Sequence, residues 1–135
     1  MFEYHGWATL RASAAATDDA DSSEPAIADV RALIEQYPIT PEFQVADLRH
    51  QNGAWHLWLS GFRNHRQPSV IELFSAIGAK APDSYGLLHV LDDEHPEHSN
   101  AWTAYVMVRG AVTLRPDGFL TPHVGVVEDP WIPSD

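Results

Sequence analysis

EFQVADLRHQNGAWHLWLSGF, residues Glu42 to Phe62, holds two runs of strand-forming residues on either side of Asn52-Gly53. Asn-Gly is the dipeptide that best tolerates the positive φ angles of a two-residue hairpin. A strand over Glu42 to Gln51, a tight turn and a returning strand over Ala54 to Phe62 are therefore predicted. In the returning strand Trp55, Leu57 and Leu59 face one way and His56, Trp58 and Ser60 the other, which leaves Trp58 on the less apolar face. A hairpin with one apolar side needs further strands beside it and helices above it to form a stable domain.

The flanking segments supply both. FEYHGWATLRA, from Phe2, alternates as a strand, with Phe2, Tyr4 and Gly6 on one side and Trp7 and Thr9 on the other. Trp7, between Gly6 and Ala8, is assigned to the core. Residues 13–24 are rich in Ala, Ser and Asp without apolar periodicity and read as a flexible surface loop. Ser23 is placed as the cap of a helix over residues 24–36, with Glu24 and Pro25 in its first turn, a stripe of Ile27, Val30 and Ile34, and Tyr37-Pro38 as its stop. Downstream, Pro68 opens a second helix with the stripe Val70, Ile71, Phe74 and Ile77, closed by Gly78 and Pro82. Strands from Tyr85, from Trp102 to Val108 and from Ala111 to Arg115 follow, then the turn Pro116-Asp117-Gly118 and an extended tail over residues 124–135. This order predicts an α+β fold: one domain over residues 1–135, with a mainly antiparallel sheet, two helices on one face, and a ferredoxin-like core carrying extra C-terminal strands.

Charge narrows the function. The 135 residues carry 19 acidic and 8 basic side chains, a net charge of -11, and Lys80 is the sole lysine. Such a surface repels phosphate backbones and anionic membranes and accelerates encounter with a basic protein. A ferredoxin-like sheet also frames RNA-recognition modules, but those set basic residues beside their exposed aromatics, whereas here the strand aromatics have few cationic neighbours. No nucleic-acid or membrane partner is expected. The chain has no cysteine, which excludes disulfides and thiolate chemistry, and no apolar stretch of the roughly 18 residues needed to span a bilayer. A cytoplasmic protein is expected.

The strand from Tyr85 runs into LDDEHPEHSNAW, Leu91 to Trp102, which gathers Asp92, Asp93, Glu94, His95, Glu97 and His98 around Pro96 at the tip of a predicted hairpin. As a metal or enzyme centre it would use Asp92, His95 and His98, with His89 and His123 approaching from neighbouring strands. It matches no established ligand motif, and no nucleophile turn frames a serine elsewhere. No metal and no catalytic residue are assigned. As a protein-binding surface, Asp92, Asp93, Glu94 and Glu97, with Glu128 and Asp129 in the tail, would pair with Arg or Lys of a basic partner. Trp102 and Trp131, each close to an acidic group, are the residue type that most often anchors an interface; the alternative for each is a place in the core.

Four stretches, FEYHGWATLR from Phe2, SYGLLHVLDDE from Ser84, WTAYVMVRG from Trp102 and DGFLTPHVGVVEDPW from Asp117, together resemble the immunity protein 7 family of bacterial polymorphic toxin systems. The resemblance implies a small cytoplasmic α+β domain, made beside a toxin gene, that neutralises a cognate toxin domain by binding it, with no cofactor and no catalysis. A nuclease is among the implied targets, and the protein is expected to act as a monomer. The contact residues named above come from charge and topology, not from the resemblance.

Overall fold

The structure, a computed structural model, describes residues 1–13, 20–37 and 40–125, of which 20–23 are described by their backbone alone. Its elements are β1 (Phe2–Leu10), α1 (Ala20–Gln36), β2 (Gln44–Gln51), β3 (Ala54–Arg63), α2 (Ser69–Lys80), β4 (Tyr85–Asp92), β5 (Trp102–Val108) and β6 (Ala111–Pro116). Among the described residues six strands form one sheet in the order β2-β3-β1-β4-β5-β6, and every neighbouring pair is antiparallel. The first four strands and two helices reproduce the ferredoxin-like order, and β5 and β6 extend the sheet beyond β4, as predicted.

Local chemistry accounts for the turns. Asn52 and Gly53 have φ of 51° and 82° and close the β2–β3 hairpin. Arg109 and Gly110, at 48° and 74°, repeat the device between β5 and β6. The core lies between the helices and one sheet face: Phe2, Tyr4, Ala8 and Leu10 of β1, Leu57 and Leu59 of β3, Leu88 and Val90 of β4, and Met107 of β5 meet Ile27 and Val30 of α1 and Val70, Leu73, Phe74 and Ile77 of α2.

Both helices differ from expectation at one end. α1 starts at Ala20, so residues 20–24 of the stretch read as a loop are helical, while residues 14–19 lie outside the described residues. Pro25 sits one turn inside it rather than in the first turn, where its missing N–H removes a single hydrogen bond. α2 runs through Gly78 to Lys80. Gly78 is there for packing: a Cβ on it would stand 2.3 Å from the Gly110 carbonyl oxygen, so its bare backbone lets α2 lie on the β5–β6 turn.

With the helices on one side, the other sheet face is open over β1 to β3 and covered where Leu91 of β4 and Trp102 of β5 are buried. The register sets residues across it in rows, one being Asp47, Trp58, Trp7, Leu87, Val106 and Thr113, and another Phe62, Glu3, Leu91 and Trp102. Trp7 therefore does not join the core. It is 40% exposed, because alternation from the buried Phe2, Tyr4, Ala8 and Leu10 turns odd positions of β1 away from the helices until the strand nears its end.

Candidate functional site

β4 delivers the acidic cluster and β5 leaves it, so residues 93–101 form the connection predicted from the sequence. Its carboxylates divide into two groups. Asp92, the last residue of β4, is only 6% exposed. Its Oδ2 accepts from Arg66 Nε at 2.6 Å and its Oδ1 accepts from the Glu94 backbone N–H at 3.1 Å. The expectation of an exposed Asp92 is corrected: its register with Phe2 turns it toward the helices, where a carboxylate must be paired to be tolerated. Asp92 holds the loop in place.

Asp93, Glu94 and Glu97 are exposed. The Met1 ammonium donates to Asp93 Oδ1 at 2.6 Å and lies 3.8 Å from Glu94. That hydrogen bond, which outweighs desolvation, holds the ammonium pKa above its ordinary value and keeps it charged. Glu94 Oε1 also meets His65 Nδ1 at 2.8 Å, which ties the loop to the β3–α2 connection. The loop's other fastener is His95, whose Nδ1 accepts the backbone N–H groups of Glu97 at 3.0 Å and His98 at 3.1 Å. The rings of His95 and His98 stack with centroids 4.5 Å apart.

These bonds leave little for a metal. Asp92 is committed to Arg66, His95 spends Nδ1 on the turn, and His123 spends Nδ1 accepting the Trp102 indole N–H at 3.1 Å. His89 lies on the open face, in register with His5, with Nε2 3.9 Å from Asp117 Oδ2. His95 and His98 instead line a cavity of about 240 Å³ on the helix side, so the sheet separates them from His89. Among the described residues no three His, Asp or Glu side chains converge on a metal position. Ile71, Val90 and Tyr105 are also part of the cavity wall. Burial raises the Tyr105 phenol pKa, against a smaller lowering by Arg66.

Trp102 is buried rather than presented to a partner. Residues after β6 return over it: its backbone N–H donates to Thr121 Oγ1 at 2.9 Å, and Asn100 clasps Val124 through both amide atoms, accepting at 2.7 Å and donating at 3.0 Å. The alternative weighed for Trp102, a buried place, is the one the fold adopts, on the sheet face opposite the helices. Glu128, Asp129 and Trp131 lie outside the described residues.

The large apolar residues that are presented were mostly not singled out from the sequence. Trp7, Trp58, Tyr85, Phe62, Phe43 and Val45 are exposed. Trp7 and Tyr85 pack edge to face at 6.1 Å, and His56 lies 5.6 Å from Trp58. A groove of about 380 Å³, lined by Phe43, Phe62, Asn64, His65 and Arg66, runs from this patch toward the acidic loop. The available signal was the placing of Trp58 on the less apolar face of its strand; extending the same alternation to Trp7 finds the patch.

A family model described as Immunity protein 7 matches residues 1–129. No curated protein and no solved structure matches the chain.

Proposed function

The chain belongs to the immunity protein 7 family, which makes it an immunity protein directed against a toxin, and we propose that it binds its cognate toxin domain through the acidic loop after β4. Within that surface Asp93, Glu94 and Glu97 meet basic groups of the toxin, while Asp92 and Trp102 position the loop from beneath. Glu128, Asp129 and Trp131 are assigned to the same partner on their chemistry alone. The observation that carries this proposal is the gathering of three exposed carboxylates on a connection pinned by Arg66, His65 and His95, in a chain of net charge -11. Rim charges of this kind raise the rate of encounter and fix the orientation of docking.

A nuclease is the target class that such charge suits, since a cleft built to receive phosphates is basic and carboxylates compete for the same donors. Inhibition is by occupancy, with no chemical step and no cofactor. The cytoplasm is the compartment assigned, and the described residues include no helix long and apolar enough to cross a membrane. The protein binds as a monomer.

The test uses the toxin domain encoded beside the gene. Co-expression should rescue host growth, and the pair should co-purify as a one-to-one complex. Reversing Asp93, Glu94 and Glu97 to lysine together should weaken binding at least tenfold at low salt, at about 0.5 kcal/mol for each exposed pair lost, with the difference shrinking as salt rises. Unchanged affinity at low salt would remove this surface.

A further inference from the structure

An antiparallel sheet with one face in water normally sets polar side chains on that face. Here β1 to β3 break the pattern. Trp7 and Trp58 are register partners at the centre of the open face, 40% and 39% exposed, with Phe62 and Val45 nearby. Phe43, whose carbonyl accepts the Phe62 N–H at 3.0 Å, adds a further exposed ring. A contiguous apolar patch of this kind marks a surface that is covered in an assembly.

We propose that this patch, centred on Trp7 and Trp58, is the apolar centre of the toxin interface and the acidic loop is its rim; this rests on the toxin-binding function proposed above. Two observations choose the occupant. The first is continuity: the 380 Å³ groove joins Phe43 and Phe62 to His65, and His65 holds Glu94 of the acidic loop at 2.8 Å. Trp7 is four residues along β1 from Glu3, about 13 Å, so patch and loop fit within one interface of ordinary size. The second is charge. Of the arginines bordering the patch, Arg49 is bound to Asp47 and Arg66 to Asp92, both at 2.6 Å, and Arg63, which donates to the Gln44 amide oxygen at 3.2 Å, is outweighed by the net charge of -11, so the field over the patch is that of an acidic protein. The partner it fits is a basic protein surface whose arginine and lysine stems lie on the indole faces, with guanidinium groups stacking there. The edge-to-face packing of Trp7 on Tyr85 holds the ring before binding and lowers the ordering cost.

The experiment is calorimetric titration of an inactive form of the adjacent toxin domain with the full chain, at low and high salt. Trp7→Ala and Trp58→Ala should each weaken binding about 30-fold or more at both salt concentrations, as buried aromatic anchors do. The acidic-loop reversal should lose most of its effect at high salt. Thr113→Ala, at the far end of the same row on β6, should stay within twofold. Melting curves check the fold, and Trp58→Lys, which repels a basic partner from an exposed site, keeps the test open should Trp7→Ala unfold. Wild-type binding with both tryptophan variants within threefold of it would overturn the proposal while leaving toxin binding standing. A wild-type chain that neither binds nor rescues would remove both. A dimer of the protein alone that Trp58→Lys dissolves would assign the face to a second copy and overturn the proposal.

Discussion

Arg66→Ala should destabilise the fold by about 2 kcal/mol, and the structure says why the figure is neither larger nor smaller. The substitution leaves Asp92, 6% exposed, without its cation and with the Glu94 N–H as its remaining donor. Removing one member of a fully buried pair costs about 3–5 kcal/mol, because an uncompensated charge stays behind. Arg66 is itself 46% exposed, so water already reaches one side of this pair and will solvate part of what is lost. Roughly half of the buried value remains, about 30-fold in the folding equilibrium. In urea the midpoint should fall by about 1 M at unchanged slope, and the melting temperature by about 6–8 °C. Adding Asp92→Asn should recover part of the loss, since an amide tolerates burial without a counter-charge. A change under about 0.5 kcal/mol for Arg66→Ala, with the slope unchanged, would refute the reasoning, because Asp92 would then be solvated without Arg66 and the loop would not depend on the pair.

Two further outcomes follow from packing and ionisation. Gly78→Ala should destabilise by about 1–3 kcal/mol despite a helix-propensity gain near 1 kcal/mol, because its Cβ meets the Gly110 carbonyl at 2.3 Å; Gly118→Ala, with no atom within 4 Å of its Cβ, should be close to neutral in the same denaturation assay. Burial raises the Tyr4 pKa above 10.0, and the Gln44 hydrogen bond and Arg63, which lower it, do not offset that. The unfolded chain therefore sheds this proton first, so stability present below about pH 10 falls as pH rises beyond it. Tyr4→Phe should flatten that loss above about pH 10, at a cost near 1 kcal/mol at pH 7 from the lost 2.8 Å bond from Gln44; an unchanged alkaline slope would assign the effect elsewhere.

Much of the fold is legible because its determinants are local. Asn52-Gly53 specifies a turn through two positive φ angles, and the stripes of Ile27, Val30 and Ile34 and of Val70, Phe74 and Ile77 specify helices through a 3.6-residue period. The ferredoxin-like order followed from the succession of elements and held when two further strands were added. The site was less legible. Alternation separates the two faces of β1 but does not say which one the helices will cover, so Trp7 was assigned to the core and proves to be exposed. Asp92 looked like a surface charge beside Asp93 and Glu94 because its partner, Arg66, comes 26 residues earlier. Trp102 looked like an anchor because the segment that covers it follows β6.

The sequence by itself determined the periods, the turns, the acidic balance and the family likeness, all of which depend on residue identity and near neighbours. The tertiary structure decided which carboxylates stay in water and which aromatic rings face outward. Burial is a property of the assembled sheet and helices: a charge in a strand becomes a loop fastener when a distant arginine arrives, and a tryptophan in an alternating strand is left exposed when the helices settle on the opposite face.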